Sequence, residues 1–322
     1  MAPRTLWMIV AAMLAVPVRA PAQAPVYAPT PASARGPQIP AKGYLVREIR
    51  DGLFWVTDGR YQTFFLVHDS GVIAVDAPLV MGERYLRAIA EVTGKPVTHV
   101  VYSHAHKDHI GAAHLFPDGA VYLAHRETLR ALQSRADTTR PLPTVVFDSV
   151  HTLRAGGQTL ELAYRGPNHE PGNIFIHAPR QRTLMLVDVV YPGWVPLPPL
   201  SFADDVRGYI AAHDQLLAYD FDTFVGGHLT RIGTRADVET ARDYITDLRA
   251  ASEAALAAVD FATVARASGT TDDWGVVRAW FGALTDDVHR RMMPRWRGRL
   301  GGADVYTREN AYLMIQFLRS VD

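Results

Sequence analysis

The segment Ser103-His104-Ala105-His106-Lys107-Asp108-His109 places three imidazoles and a carboxylate within six residues, in a chain of 322 residues that carries 13 histidines and no cysteine. The apolar, β-branched run Val97–Tyr102 leads into it, so the cluster sits where a strand ends and a helix begins. Residues two apart at a strand end face the same way. His104 and His106 can therefore bind one metal ion, while Asp108 and His109 swing onto the first turn of the helix and reach another. Imidazole and carboxylate without thiolate suit Zn²⁺, and Fe²⁺ or Mn²⁺ are compatible with the same donors.

Complete coordination needs more donors, and three later segments offer them. His169 lies in the turn-rich stretch Gly166-Pro167-Asn168-His169-Glu170-Pro171-Gly172-Asn173, which has too few apolar residues to bury an imidazole as core. Asp188 ends the apolar run Thr183-Leu184-Met185-Leu186-Val187, where an unpartnered carboxylate is costly. His228 follows Gly226-Gly227, whose missing side chains permit close approach.

The elements that must position these residues form two similar series. Four short apolar runs, Tyr44 to Arg47, Leu53 to Thr57, Thr63 to Val67 and Val72 to Asp76, are separated by Asp-Gly and Asp-Ser-Gly turn signals and predict a strand meander. A helix follows, with Leu86, Ile89, Ala90 and Thr93 on one face and Gly94 and Pro96 stopping it. The second half predicts strands at Thr159 to Tyr164, Asn173 to His177 and Thr183 to Val187, a helix at Asp205 to Ala218 and a strand at Thr223 to Val225. Each half places an acid at a strand end, then a helix, then a strand ending in histidine: Asp76 and His104, then Asp188 and His228. Two helix-covered sheets meeting at their strand ends would bring all four to one edge.

The set His104, His106, Asp108, His109, His169, Asp188 and His228, in this order and spacing, resembles the metallo-β-lactamase superfamily, and Val72-Ile73-Ala74-Val75-Asp76 resembles its early strand-Asp element. The resemblance covers about residues 43 to 235. It implies an α/β fold, the αββα four-layer sandwich, and a dinuclear site. His104, His106 and His169 would hold one ion, Asp108, His109 and His228 the other, with Asp188 bridging and Asp76 in a supporting or structural place. Secreted β-lactamases whose second ion is held by Asp/His/His usually have serine at the bridging position. Asp188 there looks more like lactonases, glyoxalase II and related hydrolases.

The expectation is an exported hydrolase with two Zn²⁺ that attacks an ester, lactone or lactam with a metal-bridging hydroxide, Asp108 orienting it and carrying its proton to the leaving group. Lactone or ester ranks first, β-lactam next and thioester third. Tyr61, Tyr191 and Trp194 are candidate substrate contacts, the last two because the segment Tyr191 to Leu200 directly follows Asp188 and should overhang the ions.

Arg4, the apolar stretch Leu6 to Val18 and Ala22-Gln23-Ala24 give residues 1–24 the form of a signal peptide, which predicts a periplasmic or secreted protein with no stable membrane insertion after its removal. Residues 25–42, rich in proline, read as an extended linker. Residues 43–233 form the catalytic domain and residues 234–322 a helical extension, with Thr234 capping a helix to about Val259 and further helices at Asp272 to Ala283, Asp287 to Arg297 and Asp304 to Val321. The basic cluster Arg290, Arg291, Arg295, Arg297 and Arg299 reads as a solvated face paired with Asp286 and Asp287.

Lys and Arg number 33 against 33 acids; without residues 1–24, which hold Arg4 and Arg19, 31 face 33 and the net charge is −2. That balance, with no basic stripe near the motif, argues for a small-molecule substrate over a nucleic acid or phosphodiester. The complete ligand set argues against a non-enzymatic metal-binding module.

Overall fold

The computed structural model describes residues 26–135 and 137–321. The expected signal peptide lies outside them. The first half builds β1 (Leu45–Arg50), β2 (Leu53–Thr57), β3 (Gln62–His68), β4 (Gly71–Val75), α1 (Glu83–Val92), β5 (Val97–Val101), the short α2 (Lys107–Ile110), β6 (Val121–His125), α3 (Arg126–Gln133) and β7 (Val145–Phe147). These strands form a seven-stranded sheet in sequence order, antiparallel from β1 to β4 and parallel from β4 to β7. The second half contributes β8 (Val150–Ala155), β9 (Gln158–Ala163), β10 (Phe175–Ala178), β11 (Thr183–Met185), α4 (Val206–Leu217), β12 (Thr223–Val225) and β13 (Gly233–Thr234). They form a six-stranded sheet in the order β13-β12-β11-β10-β9-β8.

Strand alternation divides the apolar residues into layers. In β4, Ile73 and Val75 face the other sheet while Val72 and Ala74 face α1. In the second sheet, Ile176, Met185 and Val225 face inward, whereas Phe175, Leu184 and Phe224 face the helices. Each sheet is thus apolar on both faces, and helices must cover the outer ones. The result is the αββα sandwich.

The remaining helices are α5 (Arg235–Ala258), α6 (Phe261–Ala267), α7 (Asp273–Trp296) and α8 (Ala303–Ser320). Val238, Tyr244, Ile245 and Leu248 of α5, Leu284, Val288 and Trp296 of α7, and Met314 and Ile315 of α8 share one buried cluster with Phe224 and Tyr209, so core packing continues unbroken past residue 234. Asp237 accepts from the Thr234 N–H at 2.8 Å and caps α5. The two helices expected from 272 to 297 are one: Leu284, Val288 and Met292, four apart and buried, carry the helix through Asp286-Asp287, and Asp287 pairs with Arg290 and Arg291 instead of capping a new start. The buried face of α1 also differs from expectation; it is Tyr85, Ala88 and Ile89, with Ala90 exposed.

Residues 26–42 are laid against the domain. Ala28 N–H donates to Asp304 at 2.6 Å. The buried Ala34 offers its carbonyl to Trp194 Nε1 at 3.0 Å and to Thr230 Oγ1 at 2.5 Å, and Arg231 binds the Ser33 carbonyl at 2.6 Å. Among the described residues no helix is long and apolar enough to cross a membrane.

Candidate metal centre

Strand β5 ends at Val101, so His104 and His106 stand in the loop beyond it and not on the strand itself. What holds them is the residue between. Ala105 donates its N–H to Glu170 Oε2 at 3.0 Å and accepts at its carbonyl from Arg140 at 2.7 Å, and Arg140 is fixed by Asp137 at 3.0 Å. Asp108 and His109 lie on α2, whose carbonyls receive Leu79 N–H and Ala77 N–H at 2.9 and 2.8 Å.

The second half delivers its ligands from loops tied to one another. Asn168 Oδ1 accepts from His169 N–H at 2.6 Å and from Asn173 Nδ2 at 2.8 Å, and Asn173 Nδ2 also reaches the Val187 carbonyl at 2.9 Å. Asp188 leaves β11 with φ 64°, as Asp76 leaves β4 with φ 54°. Non-glycine residues are rare in this left-handed region, and such strain persists only where surroundings over-determine it. His228 is fixed by the start of β3: Gln62 N–H donates to the Gly227 carbonyl at 2.8 Å and Gln62 Nε2 to the His228 carbonyl at 2.6 Å.

All seven expected residues converge. His104, His106, His169 and Asp188 have donor atoms within 4.8 Å of one another, and Asp108, His109 and His228 form a second such group. Asp188 stands between the groups: Oδ2 lies 3.6, 3.2 and 3.1 Å from Nε2 of His104, His169 and His109, and Oδ1 lies 3.0 Å from His228 Nε2. Two pairs of ring nitrogens face each other, His109 Nε2 with His228 Nε2 at 2.9 Å and His169 Nε2 with His106 Nδ1 at 3.0 Å. Neutral imidazoles supply one proton per ring, so such convergence suits a shared cation better than hydrogen bonding alone. Nε2 of His104 is buried without any hydrogen-bond partner. Leaving such an atom orphaned costs about 1–3 kcal/mol, which a metal ion would offset. The residues fit divalent cations.

Electrostatics separate neutral donors from His228, which holds a proton that a bound cation would displace. Burial and the neighbouring His109 hold His104 well below the usual imidazole range, and burial with His169 pushes His106 down to about 4, so both are neutral donors at pH 7. Burial pushes Asp108 up, but its bond to His228 and the charge of His109 win and bring it to about 2. Burial lowers His228, yet Asp188 and the bonds to Asp108 and Asp188 raise it to about 9. Burial similarly opposes ionisation of Asp188, and the surrounding His109, His228 and His169 overcome it.

A cavity of about 280 Å³ opens onto this centre, lined by Tyr61, His106, Asp108, His169, Asp188, Tyr191, Leu197, Ser201, Phe202 and His228. Tyr61 OH lies 3.4 Å from Asp108 Oδ2 and Tyr191 OH lies 3.3 Å from Asp188 Oδ1. Trp194 is a correction: its ring covers Gly301 and its N–H is satisfied by Ala34, so it faces away from the cavity. Asp76 sits behind the centre, accepting from Ser103 N–H at 2.7 Å. Leu197 lies in the segment expected to overhang the ions, whereas Ser201, Phe202, Glu170, Gln62 and Arg140 were missed by sequence reasoning. Only Glu170 carried a signal, its place beside His169. Neither His114 nor His125 joins the centre; His125 caps α3 and stacks on Tyr164 at 3.9 Å.

Residues 56–228 match the family model described as the metallo-beta-lactamase superfamily. The chain is 33% identical over 195 residues to the 2,4-dinitroanisole O-demethylase subunit alpha of Nocardioides sp. (strain JS1661), a match spanning 58% of this chain and 58% of that protein's length. Among solved structures it is similar to a metallo-beta-lactamase from Pontibacter korlensis, with TM-score 0.55 and 19% identity over 63% of this chain and 99% of that one. It is also similar to the sec-alkylsulfatase Pisa1 from Pseudomonas sp., with TM-score 0.56 and 16% identity over 78% of this chain and 50% of that one. These two likenesses concern the fold.

Proposed function

The chain belongs to the metallo-beta-lactamase superfamily and is a metal-dependent hydrolase, and from that premise we propose that it uses two zinc ions to cleave an uncharged carbonyl compound, a lactone or ester, outside the cytoplasm. The observation that carries the substrate class is the cavity wall: around the acidic and imidazole donors stand tyrosine, leucine, serine and phenylalanine, and neither Lys nor Arg is among the ten residues lining it. A substrate with its own carboxylate or phosphate would meet no lysine or arginine there, and the imidazoles of His169 and His228 that line the cavity already face Asp108 and Asp188. This ranks lactone and ester above a β-lactam bearing a carboxylate and above a phosphodiester. The paired donor groups around Asp188 support two ions; all-nitrogen-and-oxygen donors suit zinc, and Fe²⁺ or Mn²⁺ are the alternatives. Export rests on the signal-peptide form of residues 1–24.

Bound divalent cations would supply Lewis acidity, acidifying water and polarising a carbonyl. Asp108, anionic at neutral pH and open to the cavity, orients the attacking water, takes its proton and returns it to the leaving oxygen. Burial first, and then Asp108, pushes Tyr61 up to about 12, so its hydroxyl stays protonated and donates to a substrate oxygen.

A second reading follows from the demethylase relative, whose name gives 2,4-dinitroanisole, also an uncharged compound. There hydroxide would add to the activated ring carbon and methanol would leave. One panel separates the readings: acyl-homoserine lactones, aryl esters, thioesters, nitrocefin, bis-aryl phosphate and 2,4-dinitroanisole, offered to the zinc-loaded protein and to His106→Ala. Lactone or ester turnover that disappears with the metal is expected. Faster turnover of nitrocefin or the phosphodiester, or full activity of metal-free His106→Ala, would overturn the proposal.

A further inference from the structure

Part of the cavity wall is a loop of unusual backbone, in which Ser201 N–H donates to the Leu197 carbonyl at 2.5 Å and Phe202 N–H to the Pro199 carbonyl at 2.8 Å. Leu200, Ser201 and Phe202 have φ values of 44°, 56° and 55°, three consecutive left-handed residues without a glycine. Ser201 and Phe202, with Leu197, line the cavity beside His106 and His169, and Phe202 stands 66% exposed at its mouth. Three consecutive left-handed L-residues are strained, and the loop's own hydrogen bonds are supplemented by contacts from outside it.

The helical extension supplies such contacts. Asn310 of α8 is completely buried; its Oδ1 accepts from Leu200 N–H at 2.7 Å and its Nδ2 donates to the Pro196 carbonyl at 3.1 Å. One carboxamide thus bridges both ends of the segment, its Oδ1 accepting and its Nδ2 donating from separate atoms. Ser201 Oγ lies 3.3 Å from the Tyr209 hydroxyl, which itself donates to the Val189 carbonyl at 2.9 Å. Upstream, Val195 N–H donates to the Gly301 carbonyl at 3.1 Å and Gly301 N–H to the Gly193 carbonyl at 2.9 Å, fastening the loop to the corner between α7 and α8. Asn310 does not line the cavity.

We propose that Asn310 is a positioning residue through which the helical extension shapes the substrate pocket: without itself contacting a metal-binding residue, it fixes Leu197, Ser201 and Phe202 as a wall that selects the acyl group. This rests on the reading of the cavity as a hydrolase pocket. In that arrangement the C-terminal helices are the specificity element, and the sandwich alone carries the ions.

The test uses the zinc-loaded full chain with Asn310→Ala, Phe202→Ala and the double variant, and Asn310→Asp, which keeps the acceptor for Leu200, should the alanine variant not accumulate. Zinc content, kcat and KM for aryl acetate and aryl octanoate, and amide hydrogen exchange are measured. Asn310→Ala is expected to keep its zinc and its kcat for aryl acetate, and to raise KM for aryl octanoate about tenfold, with less than about twofold further effect in the Phe202→Ala background. Exchange across residues 197–203 should accelerate about tenfold or more while β10 and β11 are unchanged. Loss of zinc, an equal effect on both esters, or unaltered exchange in the loop would overturn the proposal. If the wild type cleaves neither ester, the hydrolase reading fails separately, and exchange confined to the loop still decides whether Asn310 holds it.

Discussion

Gly227 offers the sharpest test of how the centre is held. Its φ is +86°, and a Cβ added there would lie 2.6 Å from Val187 Cγ1 and 3.2 Å from His109 Cε1. Val187 is fully buried between the sheets and immediately precedes Asp188, so it cannot yield without moving the end of β11. A left-handed alanine costs about 1–2 kcal/mol and forcing a methyl into a packed core about 1–3, so Gly227→Ala should destabilise the fold by about 2–5 kcal/mol. The strain falls on His109, which the new carbon touches, and on His228, the next residue; Gly227 has no such contact with His104, His106 or His169. If about 1.4–2.8 kcal/mol of it must be overcome to close the Asp108, His109 and His228 group around an ion, affinity there falls about 10- to 100-fold. Zinc retained after dialysis against graded zinc buffers, with thermal denaturation of the metal-free protein, reads both effects. One tightly held equivalent and a fall in melting temperature of about 4–20 °C are expected. A variant that holds two equivalents in the same buffers and melts like the wild type would refute the reasoning.

Other expectations concern the surroundings of the centre. Glu170 Oε1 lies 3.7 Å from His106 Nε2, so Glu170→Gln should weaken zinc binding about tenfold or more, read by chelator competition; unchanged affinity would deny the carboxylate any part in orienting that ring. His213, fully buried on α4, is pushed down to about 4 by burial against an unfolded value near 6.5. The unfolded chain therefore takes up the extra proton first. This contribution to stability is complete above about pH 6.5 and is lost as pH falls toward 4, on the order of 3 kcal/mol. The melting temperature of metal-free His213→Asn should vary less than the wild type's across that window, and parallel profiles would contradict the assignment. Asp237→Ala removes the Asp237 half of the capping box that starts α5, together with its pair to Arg231, and should cost about 1 kcal/mol, seen as a lower denaturation midpoint with zinc content unchanged.

The ligands were legible because metal chemistry restricts residue type and spacing so tightly: the His104 to His109 cluster, His169, Asp188 and His228 all carry their meaning in one dimension. The four-strand meander and β12 were equally readable from alternation and turn residues. What escaped depends on contacts distant in sequence. The carboxamide of Asn310 meets Leu200 across 110 residues, and no local pattern marks it. Trp194 was expected over the ions because it follows Asp188 closely, yet the Ala34 carbonyl and the bare backbone of Gly301 claim its ring. The break expected before Asp287 is absent because the buried apolar face of Leu284, Val288 and Met292 runs straight through it.

The segment before Gly43 has a consequence for the order in which the molecule can be finished. Ala28 finds Asp304 across 276 residues, and Ala34 finds Thr230 across 196. A ribosome adding about 5–20 residues per second needs roughly 15–55 s between the first pair's members. The earliest described residues of the chain are thus among the last to find their partners: Ala34 can dock once Trp194 and Thr230 are made, but the Ala28 end is fastened only after α8 has begun to emerge.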